Sequence, residues 1–297
     1  MGWELDSIKD QTGKRVLITG ANSGIGFEAA RVLAGKGAEV ILACRNPEKG
    51  ESALADIRQD YPQSQVSLMT LDLASLASIE QFANDFKTRY DRLDILINNA
   101  GVMAPPFTRT ADGFELQFGT NHLGHFALTG HLLPLLEAAD AGRIVVVSSL
   151  AHRFGKLSFS NLNGEKRYLR WPAYAQSKLA NLVFAQELQR RLDQAGSSVI
   201  AVAVHPGYSA TNLQRHTPGG ALMNKIAQSQ LEGAMPTLYA ATEPGISGGE
   251  YIGPDGWLEI KGRPRKARVA AKARDPQTAA RLWDVSESLT QVQYLSA

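Results

Sequence analysis

Short apolar, β-branched runs recur along the chain, each followed by a turn and then by apolar residues spaced three and four apart. The runs lie at 14–20, 38–44, 65–71, 93–97, 144–147 and 199–204, with a further candidate at 248–253. A short continuous apolar run reads as a strand buried on both faces. The intervening stretches read as helices: one entered at Gly26 and continuing through Phe27, Ala30, Val32 and Leu33, then 48–60, 75–90, 113–136, the stretch around Tyr174 to a stop at Gly196, and 275–289. The stretch 113–136 is interrupted at Asn121-His122-Leu123-Gly124, where an Asn inside an apolar helix needs hydrogen-bond partners. Strands alternating with helices imply right-handed βαβ crossovers and a parallel sheet, an α/β fold. No linker or composition break divides the chain, which predicts a single domain over 1–297. Residues 208–236 are rich in Gly, Gln and Asn with weak periodicity, which predicts a lid over a binding site. Residues 256–297 are expected to form a C-terminal helical extension.

In such sheets, ligand chemistry gathers at the carboxyl ends of the strands. The first strand ends at Gly20 and passes through Asn22, Ser23, Gly24, Ile25 and Gly26 into a helix. A glycine-rich turn there lets the backbone approach a phosphate, and the helix N-terminus offers free N–H groups and a positive dipole end. The spacing is G-x-x-x-G-x-G rather than the G-x-G-x-x-G dinucleotide fingerprint. The second strand ends in Cys44-Arg45-Asn46 with no acid. An acid there would bind the free ribose 2′-hydroxyl of NAD, whereas Arg45 can pair with a 2′-phosphate; NADP(H) is favoured, with NAD(H) as the alternative. Asp72 and Leu73 end the third strand; the carboxylate could accept from an adenine amino group or cap the next helix. Asn98-Asn99-Ala100-Gly101 ends the fourth, and its small and amide residues suit close packing under a cofactor. Ser148-Ser149 and His205-Pro206-Gly207 end the next two. Tyr174 and Lys178, four apart, share one face of an otherwise apolar helix. A Lys cation close to a Tyr hydroxyl would lower the Tyr pKa toward neutrality and make it a usable proton donor or acceptor.

Composition narrows the classes further. Hydrophobic content of 44% and charge of 20% over 297 residues suit a globular protein, and a net charge of +2 selects no partner. Cys44 is the only cysteine, which excludes an internal disulfide and a cysteine metal cluster. No His or Cys cluster has metal spacing, so no metal is expected. The run from Lys261 to Arg274 carries seven cations and no acid up to position 274; it could meet phosphates or an anionic membrane surface, or be a solvated face. It lacks the interleaved aromatics of a nucleic-acid module, so no nucleic acid is expected. The start, Met-Gly-Trp-Glu-Leu-Asp, has no signal-peptide pattern, and Asp6 stands where a myristoylation site needs Ser or Thr. No apolar run approaches the ~20 residues of a membrane span. The expectation is a soluble cytoplasmic protein, monomeric or homodimeric.

These motifs together resemble the short-chain dehydrogenase/reductase family. Thr19-Gly20-x-x-x-Gly24-Ile25-Gly26, Asn98-Asn99-Ala100-Gly101, Asn121, Ser149, Tyr174-x-x-x-Lys178 and Pro206-Gly207 occur in the family's order, covering residues from about 14 to 255. The resemblance implies a Rossmann-type, doubly wound parallel sheet of about seven strands with helices on both faces, NAD(P) across it, and a tetrad of Asn121, Ser149, Tyr174 and Lys178. Ala43-Cys44-Arg45-Asn46, Ser148-Ser149-Leu150-Ala151-His152, the insert through 161–166 and Ala280-Arg281-Leu282-Trp283 look like the retinol-dehydrogenase-like branch, to which WW-domain-containing oxidoreductases are similar. Side chains alternate along a strand, so only one of Ser148 and Ser149 should face the site. The branch pattern selects Ser149.

The resemblance implies hydride transfer between nicotinamide and an apolar aldehyde or ketone and its alcohol. Tyr174 would move the proton, Lys178 would hold the nicotinamide ribose, Ser149 would place the substrate oxygen, and Asn121 would hold a water joining Lys178 to solvent. Two rivals remain: a C=C reductase on the same scaffold and a non-catalytic NADP(H)-binding sensor. The lid residues Leu213, Leu222, Met223, Ile226 and Leu231 suggest an apolar substrate of some size. His205 and the other histidines read as structural.

Overall fold

Alternation within each strand divides the core in two. Val16 and Ile18 pack on one side of the sheet and Leu17 on the other; Val40 and Leu42 oppose Ile41, and Ile95 and Ile97 oppose Leu96 in the same way. All are fully or almost fully buried, so each strand is covered on both faces. The computed structural model describes residues 2–208 and 228–295.

The strands are β1 (Arg15–Thr19), β2 (Glu39–Cys44), β3 (Val66–Thr70), β4 (Ile95–Asn98), β5 (Arg143–Val147), β6 (Ile200–Val204), β7 (Tyr251–Pro254) and β8 (Pro264–Lys266). They form one sheet in the order β3-β2-β1-β4-β5-β6-β7-β8. The first seven are parallel, and β8 returns antiparallel to β7. The doubly wound parallel sheet is therefore present, with an eighth strand added at one edge. The chain reverses direction across the sheet between β1 and β4, the switch point at which ligands bind in this architecture.

The helices are α1 (Gly24–Gly35), α2 (Pro47–Asp60), α3 (Leu76–Arg89), the single turn α4 (Leu116–Phe118), α5 (Gly124–Glu137), α6 (Arg170–Gln194), α7 (Gln230–Thr242) and α8 (Pro276–Thr290). Leu33 of α1, Ile57 of α2 and Leu238 of α7 pack on one face of the sheet. Phe86 of α3, Phe126 of α5, Leu182 of α6 and Leu282 of α8 pack on the other. Polar caps fix several starts: Asn46 accepts from the Lys49 N–H at 2.8 Å, and Asp275 accepts from the Thr278 N–H at 3.2 Å. Gly196, at φ +66, ends the α6 turn in the left-handed region, where glycine costs least.

Two expected segments differ. Residues 209–227 of the stretch read as a lid lie outside the described residues, together with Leu213, Leu222, Met223 and Ile226; the end of that stretch is the start of α7, where Leu231 packs partly buried against the core. The stretch from 256 is not helical throughout. It contains a tight turn at Trp257–Glu259, strand β8 and a second tight turn at Ala271–Ala273 before α8 begins. Arg265 and Lys266 of the basic run thus sit on an edge strand, where exposed charge discourages pairing with another chain. Among the described residues no helix is long and apolar enough to cross a membrane.

Candidate active site

A cavity of about 640 Å³ opens along the carboxyl ends of the parallel strands. Of the residues singled out in the sequence, Gly20, Asn22, Ser23, Gly24, Ile25, Gly26, Arg45, Asp72, Leu73, Asn99, Ala100, Gly101, Ser149, Tyr174, Lys178, Pro206 and Gly207 all line it. Asn121 does not.

The glycine turn is built for close approach. Gly20 and Gly24 take φ of +67° and +64°, in the left-handed region. Gly26 has no room for a side chain, since a Cβ there would stand 2.4 Å from Asn99 Nδ2 and 2.7 Å from the Gly20 carbonyl. Ser23 precedes α1 in an extended conformation and makes no side-chain cap, leaving the first N–H groups of α1 directed at the turn. At the far end Arg45, exposed, follows β2. Asp72 does not cap α3: Ser75 does, accepting from the Ser78 N–H at 3.2 Å, while Asp72 accepts from the Ala74 N–H at 2.9 Å. This donor set fits an extended, phosphate-bearing dinucleotide, with backbone N–H groups at its middle and a cation at one end.

Thr19 ties the β1 and β4 ends together. Its hydroxyl accepts from the backbone N–H groups of Asn99 and Ala100, both at 2.9 Å. His125, on α5, lies 2.9 Å from the Thr19 hydroxyl through Nε2 and 2.9 Å from the Asn121 carbonyl through Nδ1. A carbonyl can only accept, so Nδ1 carries the proton and Nε2 accepts from Thr19. Burial pushes the His125 pKa down to about 4, which keeps the ring neutral and this tautomer in place. Neither residue's role was legible in the sequence, because the contact joins positions 106 apart.

Asn121 occupies a π-turn, Gly119–Leu123, between α4 and α5. The wider turn is a common device at functional sites. The Asn121 side chain accepts from the Val102 N–H (2.8 Å) and donates to the Val102 carbonyl (3.0 Å) and the Ser177 hydroxyl (2.9 Å). Ser177 in turn donates to the Tyr174 carbonyl at 2.8 Å. Asn121 therefore stands behind the cavity wall and braces it. It still meets Lys178 at Gly101, where a Cβ would stand 3.1 Å from Asn121 Oδ1 and 3.5 Å from Lys178 Nζ.

The paired serines divide their work. Ser148 is 1% exposed and donates to the Lys178 carbonyl at 2.7 Å. Ser149 is more open, and its hydrogen bond to the Tyr174 hydroxyl favours the phenolate. Of the two adjacent serines, Ser149 is the one that reaches the Tyr174 hydroxyl.

The expected lowering of the Tyr174 pKa is not found. Burial pushes Tyr174 up to about 12, against the pull of Ser149. Burial also brings Lys178 down to about 8. Lys178 Nζ lies 5.9 Å from the Tyr174 ring centroid and donates to the Val147 carbonyl at 3.1 Å. Desolvation of the charged form is the largest cause of both shifts. Cys44, buried and pushed up to about 11, is a poor nucleophile at neutral pH. Among the described residues no group of His, Cys, Asp and Glu could hold a metal ion.

Apolar and aromatic side chains not assigned to the site from the sequence also line the wall: Val102, Met103, Leu150, Trp171 and Tyr208. Trp171 is three residues before Tyr174 on α6, and their rings meet edge to face at 6.3 Å. That i, i+3 spacing is the signal that could have found it.

The model of the short chain dehydrogenase family matches residues 14–219. The chain belongs to the short-chain dehydrogenase family. Human retinol dehydrogenase 12 is 44% identical over 288 residues, covering 95% of this chain and 88% of the relative. Human retinol dehydrogenase 11 is 45% identical over 278 residues, covering 92% and 85%. A crystal structure of an uncharacterized protein from Mycobacterium paratuberculosis superposes with a TM-score of 0.85 at 44% identity, over 99% of both chains. A short-chain dehydrogenase from Shigella flexneri, solved with NADP, superposes with a TM-score of 0.67 at 27% identity, over 82% of this chain and 98% of that one. The short-chain dehydrogenases are oxidoreductases that bind NAD(P)(H), and the branch read from the sequence is that of the retinol dehydrogenases.

Proposed function

We propose that this short-chain dehydrogenase interconverts an apolar aldehyde or ketone and its alcohol with NADP(H), Tyr174 moving the proton. The observation that carries the reading is the convergence of Ser149, Tyr174 and Lys178 in one cavity with the glycine turn. Gly20 to Gly26, with the N-terminus of α1, would hold the pyrophosphate, and Arg45 the 2′-phosphate that distinguishes NADP. Asp72 and Leu73 would flank the adenine, while Asn99 to Gly101 and Pro206-Gly207 would pack along the nicotinamide half. When bound, the nicotinamide supplies or takes the hydride.

The chain's own groups do the rest. Tyr174, with a pKa of about 12, is protonated at neutral pH and is ready to give its proton to an alkoxide oxygen as carbonyl carbon is reduced. Ser149 is placed to hydrogen-bond that oxygen and hold it near the Tyr174 hydroxyl. Lys178 is a cation below about pH 8 and would hold the ribose hydroxyls. Asn121, through Ser177 and Val102, keeps α6 and the Gly101 loop in register beside it. The apolar wall of Val102, Met103, Leu150 and Trp171 favours an apolar substrate. The retinol dehydrogenase relatives, by their names, act on such a molecule.

The test is a panel of aldehydes, ketones and enones assayed by loss of reduced-nicotinamide absorbance, with NADPH and NADH in parallel. Carbonyl turnover faster with NADPH is expected. Turnover confined to the C=C bond of enones would replace the reading with C=C reduction.

A further inference from the structure

Two exposed turns project from the wall of this cavity, and both carry large apolar side chains to solvent. The first continues from Ser149, Leu150 and Ala151, which line the cavity, and ends in Phe154, 88% exposed. The second is Trp257–Glu259, with Trp257 80% and Leu258 55% exposed. It is fastened to the cavity lining: the N–H of Tyr208, a lining residue, donates to the Ile260 carbonyl at 2.8 Å. The two turns are joined to each other by an ion pair, Arg153 to Glu259 at 2.6 Å. Lys272 locks the arrangement, donating to the carbonyls of Arg153 at 2.7 Å and Gly155 at 2.6 Å, one on each side of Phe154.

Neither turn has a folding reason to expose these side chains. Leu258 sits at φ +53 and ψ 16, and Glu259 follows at φ +60. A branched residue in the left-handed region costs energy that Gly or Asn would avoid.

The surroundings are basic. Lys261 and Arg265 are exposed beside the Trp257 turn, and Arg265 is near enough to stabilise the Glu259 carboxylate. Of the acids here, Glu259 is engaged by Arg153 and His205 and Glu250 by Lys266 at 2.6 Å, while Asp255, exposed, accepts from the Arg263 N–H at 2.9 Å. Aromatic and aliphatic tips ringed by Lys and Arg suit the headgroup region of an anionic bilayer, where the rings enter the interface and the cations meet phosphates.

We infer that this face docks the protein on an anionic lipid surface, with Phe154, Trp257 and Leu258 inserted and the cavity opening beside the bilayer. An apolar substrate dissolved in lipid would then reach the site without crossing water. The docking itself does not rest on the proposed reaction, and its test reads no turnover.

The full chain is sedimented with vesicles of phosphatidylcholine alone and of phosphatidylcholine containing about one third phosphatidylglycerol. Wild type should partition onto the anionic vesicles and much less onto the neutral ones, and added salt should release it. The double variant Phe154→Ser, Trp257→Ser should lose about tenfold or more in partition. Lys261→Glu should lose about fivefold. Both variants should melt as wild type does, since these side chains are exposed. Wild type that stays in the supernatant with both vesicles would overturn the inference, as would undiminished binding by the aromatic double variant. Equal binding to both vesicles would overturn the anionic requirement. A double variant that instead dissociates a dimer would assign the face to a second copy of this chain and equally overturn the lipid surface.

Discussion

Ser148 donates its hydroxyl to the backbone carbonyl of Lys178 at 2.7 Å, so the end of β5 is fastened to α6 at the residue whose ammonium enters the cavity. The neighbouring Ser149 points the other way, to the Tyr174 hydroxyl. Two adjacent serines therefore predict two different losses. Ser148→Ala should cost about 1–2 kcal/mol of stability, because a buried carbonyl loses its donor. Ser149→Ala should leave the melting temperature within about 2 °C of wild type. Its kcat/KM for carbonyl reduction should fall about a hundredfold, as when one oxyanion donor is removed. Thermal melts and initial rates on the two variants check this; the reverse pattern would mean Ser148 is the substrate-facing residue.

The pH profile follows from Lys178. Burial lowers its pKa to about 8, so it is charged below that pH and neutral above. Tyr174, at about 12, stays protonated throughout the working range. Affinity for NADPH should therefore weaken as pH rises through about 8, and Lys178→Met should show a flat, weaker profile. Stability has the opposite sign. The unfolded lysine, near 10.5, binds more protons than the folded one between about pH 8 and 10.5, so this group adds stability with rising pH across that window. Weaker binding without weaker folding is the signature, read by fluorescence titration beside thermal melts.

Arg45 is proposed to set the cofactor choice. Arg45→Ala should raise the NADPH dissociation constant by about tenfold or more, the worth of a charge-assisted hydrogen bond, and change NADH binding by less than about threefold. Titration with both nucleotides measures the ratio. Equal losses would show that Arg45 does not contact a 2′-phosphate.

The buried strands were easy to read, because runs such as residues 14–20 are apolar on both faces and end in glycine or small residues. Strand β8 was not. Its three residues, Pro264 to Lys266, are short and charged, and only the pairing with β7 makes them a strand. The interruption at Asn121 was visible as a polar residue in an apolar helix, but the π-turn that accommodates it depends on Val102 and Ser177, both distant in sequence. Tyr174 and Lys178 share one helix face, as their four-residue spacing implies. Their pKa values were not legible, because the spacing says nothing of how completely the fold removes both groups from water.

Tyr174 is proposed to carry the proton. The direct measurement is Tyr174→Phe, assayed for NADPH-dependent reduction of an apolar aldehyde and, on the same preparation, for NADPH binding. The variant should lose turnover by at least about a thousandfold while its NADPH dissociation constant stays within about threefold of wild type. Turnover retained at the wild-type rate would contradict the assignment.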